Sequence, residues 1–339
     1  MSKLCADVAA AHRLCQPGGD DEGRIVDAVD ELLSIRAAEL YYEENLTQEQ
    51  IGQSLQITRW KVGRLLTQAK DAGFVRIEIL HSRARRPQLE RRLREERGLS
   101  DAVVVSRAGV RNEDELQQRV AQAAADHLAG LRPSPGMLGV SWGRTLSEVA
   151  HHLRDGWSSH TDVVQINGGV SMSPRPGTAA ATAVGIAQKG GGSAALLPSP
   201  AILEHRATKD AIEADRVVAR VLERARSADA YLFSAGAADH GSVHVDSGYL
   251  AASDIDRLVA AGAVGDVVGR YIDAEGRIVD PDLDARTVGL SLDELRRARV
   301  AIAAIAGAPK RAIAAAVVAS GLCTVLVTDE STALQLLDG

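Results

Sequence analysis

Apolar residues recur at near-helical spacing between Ile25 and Glu44, at Ile25, Val29, Leu32, Leu33, Ile35 and Leu40. That pattern predicts one amphipathic helix. Thr47 then stands three residues before Gln50, the spacing at which a hydroxyl and a glutamine cap a helix reciprocally. The short helix that follows carries Ile51 and Leu55 inward and stops near Gln56. Thr58 is a second N-cap candidate; Val62, Leu65, Leu66 and Ala69 form the next buried stripe, and Gly73 supplies a left-handed stop. Phe74 to Ile79 alternates apolar and polar residues, which predicts a strand. Helix, short helix, turn, helix and strand within about 55 residues predict a winged helix-turn-helix over residues 25–82, preceded by a flexible tail over 1–24.

Residues 83–98 are dominated by charge, with Leu89 and Leu93 at i, i+4, and predict a linker helix whose charges are either a solvated face or a contact with a partner subunit or the DNA backbone. From Leu99 the pattern changes to short apolar runs alternating with helical segments. Strands are expected at 102–105, 137–141, 163–166, 194–197, 230–233, 300–305 and 325–328. Helices are expected at 113–130, 145–153, 179–188 and 212–225, and from Lys310. Buried strands separated by helices imply an α/β domain over 99–339, with a parallel, Rossmann-like sheet covered on both faces.

Composition sharpens this picture. Aromatic residues are only 3% of the chain, so the core must be aliphatic. The net charge of −6 argues at first against a nucleic-acid partner. Its distribution reverses that argument. Residues 1–46 hold 4 Lys+Arg against 10 Asp+Glu, residues 47–97 hold 12 against 6, and residues 98–339 hold 23 against 29. The acidity therefore conceals one basic segment, which coincides with the helix-turn-helix and the linker. Cys5, Cys15 and Cys323 form no CxxC pair, which fits a reducing cytoplasm. No apolar run reaches the ~18 residues of a membrane span, and the polar N-terminus does not resemble a signal peptide. A cytoplasmic protein without a membrane partner is expected.

In a helix-turn-helix, N-terminal residues of the second helix touch base edges in the major groove. Here those are Thr58, Arg59, Trp60, Lys61 and Arg64, with Gln48 on the preceding helix. Arginine suits guanine, and threonine and lysine suit bases or phosphates; Trp60 could equally be structural. In the α/β domain, ligands belong beyond the C-terminal strand ends. Four loops there carry candidate chemistry. Ser141, Gly143, Arg144 and Thr145 lie in a strand-to-helix turn where free backbone N–H groups attract phosphate, although the spacing is not that of a Walker loop. Gly168 and Gly169 form a second turn. Lys310 stands at a helix start, where the helix dipole disfavours a lysine that has no anionic partner. Asp266, between glycines, can accept hydrogen bonds from sugar hydroxyls. Asp239, His240, His244 and Asp246 are of metal-ligand type, but glycine and serine interleave them. No metal site and no cofactor are predicted.

Three groups of residues then converge on one family. The N-terminal segments are LTQEQIG at 46–52, ITRWKVGRLL at 57–66 and AGFV at 72–75. GVSWGRTL at 139–146, INGG at 166–169, LPSP at 197–200 and VGDVVGRYID at 264–273 follow. AGAPKRAI at 306–313 and LVTDESTALQLL at 326–337 complete the set. Together they resemble the SorC/DeoR-type sugar-binding transcriptional regulators over nearly everything from Leu33 onward. The resemblance implies an effector domain similar to the sugar-phosphate isomerase fold, homotetramers arranged as dimers of dimers, and palindromic operator DNA. It implies a phosphorylated sugar or polyol as effector, with Ser141, Gly143, Thr145 and Lys310 at the phosphate and Asp266 at the hydroxyls. Gly63 departs from the family pattern of a small polar residue there. Arg144, in a loop that varies among members, cannot form a Schiff base with an open-chain sugar. Ser173 to Pro176 also look particular to this chain.

The expected function is regulation of a carbohydrate or polyol catabolic operon, with no enzymatic activity. The main alternative is a sugar-phosphate isomerase-like enzyme with an accessory helical domain, although no acid and base pair assembles around Ser234 to His240. A further alternative is a sugar-binding protein without DNA binding.

Overall fold

The computed structural model describes residues 22–75, 85–169 and 179–338, with side chains from Asp30 onward. They belong to two compact units that divide between Ile79 and Leu80.

In the first unit, α1 (Glu22–Tyr42), α2 (Gln48–Leu55) and α3 (Arg59–Asp71) pack around Ala37, Leu40, Ile51, Val62, Leu65 and Ala69. The first helix starts three residues earlier than its periodicity suggests. Both predicted caps form. The Thr47 hydroxyl accepts the Gln50 N–H at 3.3 Å while Gln50 Oε1 accepts the Thr47 N–H at 2.9 Å. The Thr58 hydroxyl accepts the Lys61 N–H at 3.2 Å. Gln56, left-handed at φ 52°, closes α2. The turn is tight enough that a Cβ on Gly52 would lie 2.8 Å from the Ile57 carbonyl oxygen. Phe74 and Val75 are not in a strand, and most of the predicted wing strand and the start of the linker lie outside the described residues.

The second unit opens with α4 (Pro87–Arg97), which begins where Pro87 takes an early helical position that needs no N–H donor. Its charge run is not wholly solvated: Leu93 is buried, and so is Glu90. Seven parallel strands follow: β1 (Asp101–Val105), β2 (Met137–Val140), β3 (Asp162–Gln165), β4 (Ala194–Ala195), β5 (Ala230–Phe233), β9 (Ala301–Ala304) and β10 (Val325–Asp329). Their spatial order is β1-β10-β9-β5-β2-β3-β4. One face is covered by α5 (Glu113–Gly130), α6 (Arg144–His152) and α7 (Ala179–Lys189), which contribute Val120, Leu128, Leu146, Val149 and Ile186 to an aliphatic core. The other carries α9 (Arg216–Arg226), α14 (Arg311–Ala319), α15 (Glu330–Asp338) and Leu93 of α4. The doubly covered parallel sheet is the predicted architecture.

Three details differ from the sequence expectation. The helix expected over 212–225 is two, α8 (Arg206–Ala214) and α9. The Asp215 carboxylate accepts the Val217 N–H at 2.8 Å, starting a second helix rather than continuing the first. The fourth sheet strand is only two residues long. The 264–270 segment is not a loop but part of a small antiparallel sheet, β6 (Ala235–Ala237), β7 (Gly265–Val267) and β8 (Arg270–Ile272). Between β6 and β7 lie the helices α10 (Val243–Asp246) and α11 (Ala252–Ala260). Two more, α12 (Pro281–Ala285) and α13 (Leu292–Arg296), precede β9. Buried Arg270 braces this region, donating to the Leu290 and Gly289 carbonyls and pairing with Asp284. Among the described residues no helix is long and apolar enough to cross a membrane.

Candidate functional sites

In the first unit, Gln48, Arg59, Trp60, Gly63 and Arg64 line one surface groove with Thr67, Gln68 and Asp71. The buried stripe of α3 turns these residues outward. Arg59 and Arg64 are exposed and have no ion-pair partner among the described residues. Trp60, for which a structural role was open, contributes nothing to the core, since 90% of its surface is exposed. Lys61 is differently placed. Its ammonium lies 3.2 Å from the Asp30 carboxylate of α1. Thr58 is occupied as the N-cap.

In the second unit, the chain leaves β2 toward β3 and β4 in one direction, then returns to set β5 on the other side of β2. Ligand crevices of open α/β sheets form where strand order reverses in this way. Ser141 follows β2; it is buried, and its N–H donates to the Leu232 carbonyl at 3.1 Å. Gly143, at φ 135°, precedes α6 and has no side chain with which to cap the first N–H groups of that helix. Thr145 is buried, with its hydroxyl accepting from Gln117 Nε2 at 2.9 Å. The Trp142 indole donates to the Gly168 carbonyl at 2.7 Å and joins the first two loops. Gly168 and Gly169 are confined. A Cβ on the first would collide with Pro200 and one on the second with Ala179, and the second would also meet the Trp142 indole at 2.9 Å.

Lys310 does not open a helix directly. It ends a 3₁₀ turn (Ala308–Lys310) imposed at Pro309, and α14 follows. The turn is fastened by Asp329 at the end of β10, which accepts the Gly307 N–H at 2.9 Å. The pKa of Lys310 falls to about 8, because burial strips water from the ammonium and the Arg144 charge adds to the effect. The carboxylates of Asp266 and Asp239 offset part of that fall. Arg144, at the start of α6, and Asp266, from β7, thus both bear on the charge of Lys310. Asp266 is buried in β7, its Oδ2 accepting the Gly269 N–H at 3.0 Å. A side chain at Gly236 on β6 would collide with it.

Several residues around this cluster are not assigned to it by the sequence: Asp239 and His244 read there only as metal-type residues, and Trp142 only as part of a motif. His244 is buried, with Nδ1 3.1 Å from the Tyr271 hydroxyl and 3.9 Å from Asp266 Oδ1. Burial and the nearby Asp266 charge raise the Tyr271 phenol above its usual range. Asn167 Oδ1 is buried and accepts no hydrogen bond. The metal-type residues are not gathered: His240 pairs with Asp256 at 2.7 Å, while His244 bonds Tyr271. Among the described residues no three His, Cys, Asp or Glu side chains could hold a metal ion. Ser173 to Pro176 lie outside the described residues.

A doubly covered parallel sheet whose strand order reverses beside β2, with Arg144, Asp266 and Lys310 near one another there, has the layout of a ligand-binding α/β domain. The sugar-binding domain family model matches residues 83–338, and the chain belongs to that family. A deoxyribonucleoside regulator from Bacillus subtilis (strain 168) is 29% identical over 318 residues, covering 92% of this chain and 99% of the relative. The erythritol catabolism regulatory protein EryD from Brucella abortus (strain 2308) is 26% identical, covering 91% of this chain and 97% of the relative. Among solved structures, the full-length sorbitol operon regulator SorC from Klebsiella pneumoniae superposes with a TM-score of 0.69 at 28% identity. That match covers 90% of this chain and 98% of SorC. These relatives are transcriptional regulators, not enzymes.

Proposed function

We propose that the chain is a transcriptional regulator of a carbohydrate or polyol catabolic operon. A phosphorylated sugar or polyol controls it, and it acts in the cytoplasm as a homotetramer of paired dimers on a palindromic operator. Residues 25–82 serve as the winged helix-turn-helix and 83–98 as the linker helix. Residues 99–339 serve as the effector and oligomerisation domain. Arg59 and Arg64 read or neutralise DNA, with Gln48, Thr58, Trp60 and Lys61 around them. Ser141, Gly143, Arg144, Thr145 and Lys310 hold the phosphate, the turn at Gly168 and Gly169 borders it, and Asp266 accepts hydrogen bonds from the hydroxyls.

One observation carries this reading. A groove with two unpaired arginines on a capped helix occurs in the same chain as a sugar-binding family domain whose switch point gathers Arg144, Lys310 and Asp266. The relatives' names support a carbohydrate or polyol system, since they are a deoxyribonucleoside regulator, an erythritol catabolism regulatory protein and a sorbitol operon regulator. Binding must differ in affinity between two arrangements of the DNA-binding units, or the effector shifts nothing. The test has two arms. Purified protein should prefer its own upstream DNA over random DNA, with an affinity that falls steeply with salt. A panel of sugar and polyol phosphates should raise its melting temperature, by roughly 2.7 kcal/mol of stability at 100 times Kd. Equal affinity for both DNAs, or no stabilisation by any member of the panel, overturns the corresponding half of the proposal.

A further inference from the structure

Trp60 is the second residue of α3 and keeps 90% of its surface in water. No other large apolar side chain among the described residues is as open; the next, Leu32, is 69% exposed. The buried stripe of α3 runs through Val62, Leu65, Leu66 and Ala69, so the helix phase sets Trp60 away from the core. Thr58 caps the helix two residues before it, and Arg59 and Arg64 line the same groove. An exposed apolar plate beside two cations that have no ion-pair partner among the described residues, near a helix N-terminus, has the composition of a surface that meets a polyanion carrying apolar features. In the major groove of DNA the apolar feature is the thymine 5-methyl group, and every other distinguishing group is polar. The indole N–H adds one donor and no acceptor, which suits the N7, O6 and O4 acceptors of the same groove.

From this we infer that Trp60 is a base-reading residue, covering a thymine methyl in each half-site while Arg59 and Arg64 take neighbouring phosphates or a guanine. The inference rests on the DNA-binding reading above and narrows it to one side chain and one chemical group. It accounts for an exposed tryptophan that the packing of the first unit does not use. It also assigns sequence discrimination to contacts that salt weakens little, leaving the salt-dependent affinity to the arginines.

The experiment starts from duplex selected out of random DNA by the full-length protein. Each thymine of that duplex is then replaced singly by deoxyuridine, which removes only the methyl group, and affinity is measured for wild type, Trp60→Phe and Trp60→Ala. Wild type should lose about fourfold at one thymine per half-site, the worth of one buried methyl group. Trp60→Ala should bind that duplex more weakly and be indifferent to the same replacement, and Trp60→Phe should fall between them. Wild-type indole emission should be quenched on binding. Because the side chain is exposed, Trp60→Ala should melt as wild type does, so a weakened complex is not misread as unfolding. The inference is overturned if Trp60→Ala keeps both its affinity and the wild-type pattern of deoxyuridine effects. It is also overturned if Trp60→Ala changes only the oligomeric state in gel filtration. Selection that enriches no sequence overturns the DNA-binding reading itself, and the inference with it.

Discussion

The Lys61 ammonium of α3 lies 3.2 Å from the Asp30 carboxylate of α1, so one cation of the proposed DNA-facing surface is already neutralised within its own domain. Both side chains are about one-third exposed (35% and 28%), and such a pair stabilises a fold by only about 0–1 kcal/mol. Its larger consequence is electrostatic, because DNA must compete with Asp30 for Lys61. Asp30→Asn should leave the melting temperature nearly unchanged and strengthen binding to random DNA. If Lys61 then reaches a phosphate, the salt dependence should steepen by about 0.9 in log K against log salt for each new contact. An unchanged slope in a titration from low to physiological salt would show that Lys61 takes no phosphate.

The two capped helices were legible in the sequence because their signals are local. Thr47 with Gln50, and Thr58 before Lys61, need only their own turns, and both caps form. The parallel sheet was legible for a similar reason, as its strands are short apolar runs. Features made by distant residues were not. Asp266 reads as a turn aspartate until β6 pairs with β7 and sets Gly236 under its carboxylate. Three-residue strands rich in glycine carry no periodicity to detect them by. His244 looked like a loose metal-type residue because its partner, Tyr271, lies 27 positions away. Of the candidate effector residues, the sequence suggested the loops, whereas the effect of Arg144 and Asp266 on Lys310 depends on how distant segments meet.

Glu90 illustrates the same limit and yields a second prediction. Its position in a charge run suggests a solvated side chain, yet it is buried. Glu90 Oε1 accepts the Val104 N–H at 2.9 Å and the Arg85 Nε–H at 2.7 Å, and Oε2 accepts from a second Arg85 nitrogen at 2.9 Å. Val104 lies on β1, an edge strand of the seven-stranded sheet. The carboxylate therefore occupies a backbone donor that another strand could otherwise use. Glu90→Ala should cost about 1–3 kcal/mol, the penalty of an unsatisfied buried donor, and should increase light scattering on heating. Glu90→Gln keeps an acceptor and should recover much of the loss. Equal melting of all three proteins would refute the role.

A third prediction concerns the turn between α2 and α3. Replacing a helical glycine by alanine ordinarily stabilises by about 0.5–1 kcal/mol. At Gly52 the added Cβ would lie 2.8 Å from the Ile57 backbone oxygen, and backbone cannot rotate away as a side chain can. Gly52→Ala should therefore destabilise the first unit by about 1–3 kcal/mol, the usual cost of overpacking. DNA affinity should fall because α3 loses its angle to α2. Stabilisation by a sugar phosphate should persist, since residues 80–339 form a separate unit. Loss of both activities together would show that the substitution disrupts more than this turn.

Lys310 provides the pH dependence. Its pKa falls to about 8 from an ordinary value of 10.5, chiefly through burial and then through Arg144. Between those two values the unfolded chain holds the proton and the folded chain has released it, so the unfolded state binds more protons. Stability should then rise with pH from about 8 to 10.5 as far as this group is concerned. Ligand binding should run the other way. A phosphate monoester is almost fully ionised above pH 7, and its charge favours the protonated ammonium. Binding at pH 8.5 should accordingly take up a proton, visible by calorimetry as a heat that varies with the ionisation enthalpy of the buffer. Affinity should weaken by up to about tenfold per pH unit above 8, the limit for one linked proton. Lys310→Met should remove both the proton uptake and the slope while raising Kd, and a variant that keeps the wild-type slope would place the titrating group elsewhere.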